Sequence, residues 1–189
     1  MRAWAAKLSI TPASGRAAAR GLLRLPPAFY GLAVVTILAG WIQPHLLSLP
    51  YILVMLRQAA PLGVVALGQA QVMTNRTLDL SIGGVIALTN VVLASAPIAG
   101  AGPLGSIGAA LCIGVVVGSV NGLLVAWLRT SAVIATLATW TALGGLALLI
   151  SGGAPGGEVH PFVRTLGSER VGSVPIAALV WGGVAALFW

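Results

Sequence analysis

Acidic residues are nearly missing from this chain of 189 residues: three Asp and Glu stand against ten Lys and Arg. Charge of either sign makes up 7% of the sequence, where a water-soluble domain carries about 25%. A chain this poor in charge cannot cover a surface that faces water. Hydrophobic residues fill 58% of it, and the mean hydropathy is +1.02. The class is therefore a polytopic membrane protein, not a globular domain on a single anchor. The net charge of +7 does not indicate a nucleic-acid binder, because the cations fall between apolar runs rather than on one face or helix.

Cysteine is as scarce. Cys112 stands alone in an apolar run, gives neither a disulfide framework nor a metal set, and reads as packing. Histidine occurs twice, at His45 near the far end of the first apolar run, as at an interface, and at His160 in a connection. The sequence has no His/Glu or His/Cys cluster at metal spacing, no Gly-x-Ser-x-Gly, no paired carboxylates and no Walker A motif. Neither an enzyme nor a cofactor is expected. If transport is active, its energy must come from another subunit.

What is present is a series of apolar runs near the ~20 residues that a membrane helix needs. They cover residues 29–47, 51–73, 82–100, 104–128 and 132–150, and a sixth begins near Val174. The expected fold is all-α: a polytopic bundle of about six transmembrane helices. Pro61 falls inside the second run and is expected to kink it. The last run reaches Trp189 with no flanking charge, so the chain reads as cut off at its C-terminus. Residues 1–28 hold Arg2, Lys7, Arg16, Arg20 and Arg24 and no acid. A transit peptide shares that composition, but a basic cytoplasmic tail ahead of a membrane domain over 29–189 fits the remainder better. With the N-terminus inside, Arg76 and Arg129 join the tail on the cytoplasmic side, as the positive-inside rule asks. Arg57, Arg164 and Arg170 then fall outside. The longest connection, 151–173, is glycine-rich and reads as an irregular external connector.

The polar residues within this apolar background are the candidate site. Between the second and third runs lies a short polar patch, residues 74–81, with Arg76, Asp79 and Ser81. Asp79 is the only acid in the first 157 residues. An acid before a helix is favoured by the dipole and by the free backbone N–H groups, so Asp79 or Ser81 is expected to cap the third helix. A pair between Asp79 and Arg76 is an alternative. Asn121 in the fourth run needs a partner in hydrocarbon, either on another helix or along a polar path. Thr136, Thr139 and Thr141 follow in the fifth run, where threonine hydroxyls can bond their own helix backbone. Beside Asn121, residues Ala110, Gly114, Gly118, Gly122 and Ala126 recur every four positions. Such a stripe lets helix backbones approach closely in lipid and predicts a tight neighbour.

Three blocks carry a resemblance. The first is Leu56, Arg57 and Gln58 with GVVALG at 63–68 and LDLSIG at 78–83; the second is GSVNGLLVAWL at 118–128; the third is VIATLAT at 133–139 with Gly145, Leu146 and Ala147. In this order and spacing they resemble the permease subunits of bacterial ABC importers for monosaccharides, of the ribose, xylose and galactose type, which include autoinducer-2 importers. Arg76 and Thr77 stand where that family has a glycine pair, Ala138 where it has Gly, and Gly144 where it has Arg. The resemblance implies alternating access in the bacterial inner membrane. It implies a cytoplasmic ABC ATPase, a periplasmic solute-binding protein and a second permease copy or paralogue as partners, with the lipid bilayer around them and no nucleic acid. It also implies that about half of a family permease is missing. The competing readings are a non-transporting remnant and, less well supported, half of a secondary transporter, which would carry more ionisable residues at depth. On the permease reading, Asp79→Asn is expected to lower assembly or uptake sharply.

Overall fold

The computed structural model describes residues 26–154 and 156–188. The tail reading therefore lies, over residues 1–25, outside the described residues, and helix already begins at Pro27. Two compact units divide after Tyr51. In the first, α1 (Pro27–Ile42) is followed by a 3-10 turn, Pro44–Leu47. The expected run to residue 47 is thus broken at Gln43, because Pro44 cannot continue the α-helical ladder. His45 tilts against Tyr51 with ring centroids 5.4 Å apart.

The second unit holds the remaining helices. They are α2 (Leu49–Thr74, its first residues in the other unit), α3 (Ile82–Ala94), α4 (Ala96–Ala99), α5 (Gly102–Ala126), α6 (Ala132–Ser151), α7 (Pro161–Ser168) and α8 (Ile176–Phe188). Among the described residues three helices, α2, α5 and α6, are long and apolar enough to cross a membrane, and α1, α3 and α8 are shorter apolar helices. The fold is all-α and of polytopic type. Pro61 does not end α2, which runs through it. Its ring leaves the carbonyl of Arg57 without its usual intrahelical donor.

The centre of this unit is small. Leu88 of α3, Val117 of α5, and Leu143 and Ala147 of α6 form the buried cluster, with Val85, Val91, Val92 and Ile113 packed against it. Leu88 is one turn beyond Gly84, and Gly84 explains how close α3 and α6 come. A Cβ built there would stand 2.9 Å from the carbonyl oxygen of Trp140 and 3.0 Å from Leu143 Cβ. Only glycine lets the two backbones meet. On α2, the indole of Trp181 from α8 lies where a Cβ on Gly63 would be.

Three expectations are corrected. The third apolar run is two pieces, because Ser95 takes an extended conformation (ψ 142°) between α3 and α4. Its main piece of 13 residues is about 20 Å long, short of the ~30 Å hydrocarbon layer. The connector 151–173 is not irregular throughout: it holds α7 and a first strand, β1 (Arg170–Val171), which pairs with β2 (Val174–Pro175) at the start of the sixth run. His160 starts α7 by accepting the Phe162 N–H at Nδ1, 3.1 Å, with Pro161 in the first turn. The small-residue stripe of α5 has no tight neighbour among the described residues. Nothing comes within 4 Å of where a Cβ would stand on Gly114, Gly118 or Gly122, and all three are exposed. The face of α5 that packs inward carries Ser106, Val117 and Asn121 instead.

Candidate functional site

The α2 helix ends in the polar patch. Arg76 takes the left-handed conformation, φ 58°, and its N–H bonds back to Met73 O at 2.9 Å. Thr77 Oγ1 donates to Val72 O at 3.1 Å. The chain then runs without regular structure from Thr77 to Leu80 into α3, and here the polar residues gather.

Asp79 Oδ1 accepts two hydrogen bonds from Ser81, from the backbone N–H at 2.8 Å and from the hydroxyl at 2.6 Å. Asp79 therefore satisfies one of the free donors at the start of α3. Ser81 precedes the first helical residue but makes no cap bond of its own, because its backbone is already helical (φ −75°, ψ −14°) rather than extended as an N-cap requires; its hydroxyl proton goes to Asp79. Its oxygen accepts from Asn121 Nδ2 at 2.9 Å. Asn121 Oδ1 in turn accepts from Thr139 Oγ1 at 2.6 Å. Every donor in this relay points toward the carboxylate, from Thr139 on α6 through Asn121 on α5 and Ser81 to Asp79. Aligned donors polarise one another. A second strap lies beside it: Thr136 Oγ1 accepts the Leu80 N–H at 3.0 Å and donates to Ala132 O at 2.8 Å.

Ser81, Asn121 and Thr136 are buried, at 1%, 7% and 4% exposure, and Asp79 is half-buried. The relay thus joins three helices at one end of the bundle: the start of α3, the last turns of α5 and the first turns of α6. Of the candidate residues, Asp79, Ser81, Asn121, Thr136 and Thr139 meet here. Arg76 does not; it is exposed and makes no bond to Asp79 among the described residues. The arrangement can fix, or release, the packing of three helices.

Two features escaped the sequence reading. Gln69 Oε1 on α2 is buried with no hydrogen-bond partner. At the other end of α3 lies a cavity of about 530 Å³, lined by Asn90, Ala94, Ser95, Ile150, Ser151 and Gly157 among others. The rule that singled out Asn121, an Asn inside an apolar run, applies equally to Asn90.

Comparison with known proteins follows from this architecture. The sequence model of the family described as "Branched-chain amino acid transport system / permease component" matches residues 51–188. A protein of Yersinia pseudotuberculosis serotype O:3 (strain YPIII), named "Autoinducer 2 import system permease protein LsrC", is 39% identical over 161 residues, covering 84% of this chain and 46% of the relative. A protein of the same name from Yersinia pestis (strain Pestoides F) matches to the same extent. The chain therefore spans about half the length of these curated relatives. No solved structure matches it.

Proposed function

The chain belongs to the family of branched-chain amino acid transport system permease components, and from that premise we propose that it is the membrane-spanning permease part of an ATP-driven importer for a monosaccharide or similar small polar solute. Its similarity to permeases named for autoinducer 2 import supports that solute class over an amino acid. The observation that carries the reading is the family match over residues 51–188, a stretch whose helices are tied by buried hydroxyl and amide groups, with no acid or base among the buried ones. Polar atoms at such depth are retained where they organise a moving bundle or line its path.

In this reading the N-terminus is cytoplasmic and the membrane is the bacterial inner membrane. The end of the bundle that holds Asp79 then faces the cytoplasm, and the cavity end faces the periplasm. The partners are an ABC ATPase on the inner face, a periplasmic solute-binding protein on the outer face and a second permease copy or paralogue. ATP is hydrolysed on the separate subunit. Asp79, Ser81, Asn121, Thr136 and Thr139 hold α3, α5 and α6 together in one access state and let them part in the other.

The test is purification of the chain from its native membranes by an affinity tag, followed by ribose uptake with the recovered complex in vesicles. Recovery of an ATP-hydrolysing subunit and ATP-dependent uptake are expected. A complex without any ATPase overturns the reading.

A further inference from the structure

We infer that the cavity at the C-terminal ends of α3 and α6 is a binding subsite for a neutral, hydroxyl-rich small solute, reached from the periplasmic side. This deepens the permease reading and rests on it.

The cavity exists because the third apolar run is broken. Ser95 departs from helical geometry (ψ 142°), and Ala94, Ser95 and Ala96 line the space that opens. Backbone freed from a helix at membrane depth is tolerated where it lines a cavity. Broken helices that present their ends to solutes are a recurrent device of transporters. The opposite wall is the last turn of α6 with Ile150 and Ser151, and the roof is the loop with Gly156 and Gly157. Gly157 has φ +85°, and a Cβ there would run into the Ala94 carbonyl. The roof closes onto α3 only because that residue is glycine. At about 530 Å³ the space falls in the range of roughly 300–1,000 Å³ typical of small-molecule sites.

The chemistry of the lining narrows the ligand. Ser95 Oγ donates to Val92 O at 2.6 Å and Ser151 Oγ donates to Leu148 O at 3.3 Å. Both hydroxyl protons are therefore engaged by their own helices, and both oxygens remain as acceptors. Two helices end here, so the lining also carries carbonyl groups and the partial negative charge of two helix C-termini. The Asn90 carboxamide makes no hydrogen bond among the described residues and can accept and donate. None of the described lining residues is charged. The few polar groups in this otherwise apolar lining are mainly acceptors and carry no formal charge, which suits a small solute that brings O–H donors. They leave the carboxylate of an amino acid facing acceptors with no cation to pair it, which is costly away from water.

The test uses the full chain in right-side-out membrane vesicles with its partner subunits, in a Cys112→Ser background. Asn90→Cys and, separately, Ser151→Cys are reacted with a membrane-impermeant maleimide. Saturating ribose is expected to slow the reaction roughly tenfold, as mass action requires at about ten times a dissociation constant, and leucine is expected to leave it unchanged. Protection of either cysteine by ribose and not by leucine upholds the subsite. No reaction with the reagent, no protection by ribose, or equal protection by leucine overturns it. Ribose uptake by vesicles with the unsubstituted chain is scored separately. Uptake without protection discards the cavity and keeps the permease reading; protection without uptake does the reverse.

Discussion

A single carboxylate oxygen anchors the relay at its end. Asp79 Oδ1 takes both the N–H and the hydroxyl of Ser81, so removing it strands two donors. Leaving a buried donor unmet costs about 1–3 kcal/mol. Asp79→Ala is thus expected to lower the stability of the purified chain in detergent by about that amount. Asp79→Asn keeps an acceptor oxygen in place and loses only the charge, so a smaller loss is expected. The geometry therefore moderates the sharp effect expected of Asp79→Asn from the sequence, and thermal unfolding of the two variants side by side decides the order. Asn121→Ala removes two interhelical bonds at once, each worth about 0.6 kcal/mol on average in membrane proteins. A loss of about 1–2 kcal/mol is expected, tempered because the Thr139 hydroxyl can fall back on Ala135 O at 3.0 Å. At this scale the sequence was partly legible. Asp79, Ser81 and Asn121 stood out because polar atoms in apolar runs are rare. The threonines did not, because back-bonding to the own helix explains any of them equally well. Thr141 does only that, to Leu137 O at 3.1 Å, whereas Thr136 and Thr139 also serve residues far along the chain. Three-dimensional proximity separates them, and spacing does not.

The helices differ in how much of each could be read from hydropathy. α2, α5 and α6 lie within two residues of the apolar runs that announced them, because a long run in lipid has no other way to satisfy its backbone. The third run hid a break at Ser95, since hydropathy does not register a ψ change. Pro97 two residues on was the available sign. α7 was hidden by its glycine-rich surroundings, although His160 and Pro161 together mark a helix start. The close approach of α3 and α6 was also hidden, for Gly84 is one glycine among 25. Its role belongs to the α3–α6 pair. A methyl there would meet the Trp140 backbone at 2.9 Å and Leu143 Cβ at 3.0 Å, and backbone cannot turn aside as a flexible side chain can. Gly84→Ala is expected to force α3 and α6 apart and destabilise the chain by about 1–3 kcal/mol, the usual cost of overpacking. The same separation would stretch the Leu80–Thr136 strap. Faster amide hydrogen exchange at Leu80 in the variant would show it, and unchanged exchange would refute the coupling.

For the whole chain, the distribution of small and large residues is the reverse of a soluble fold. The buried hydrophobics are few, while Leu104, Trp127, Leu149 and Leu187 are exposed at 79% or more. Lipid accepts such a surface, and the short α3 packs against α5 and α6 through Gly84 and Leu88 rather than standing alone. The stripe of Gly114, Gly118 and Gly122 does not fit lipid contact so simply. Glycine inside a helix costs roughly 0.5–1 kcal/mol relative to alanine, and here that cost is not offset by any close approach among the described residues. For the isolated chain in detergent, Gly118→Ala is therefore expected to be stabilising, by up to about 1 kcal/mol, with midpoint temperature as the readout. The same substitution in the native membrane complex discriminates two states of that face. If the gain persists, the stripe meets only lipid. If it turns into a loss, a helix from outside this chain packs there at glycine distance. The sign of one methyl group, measured in two settings, reports what covers the stripe.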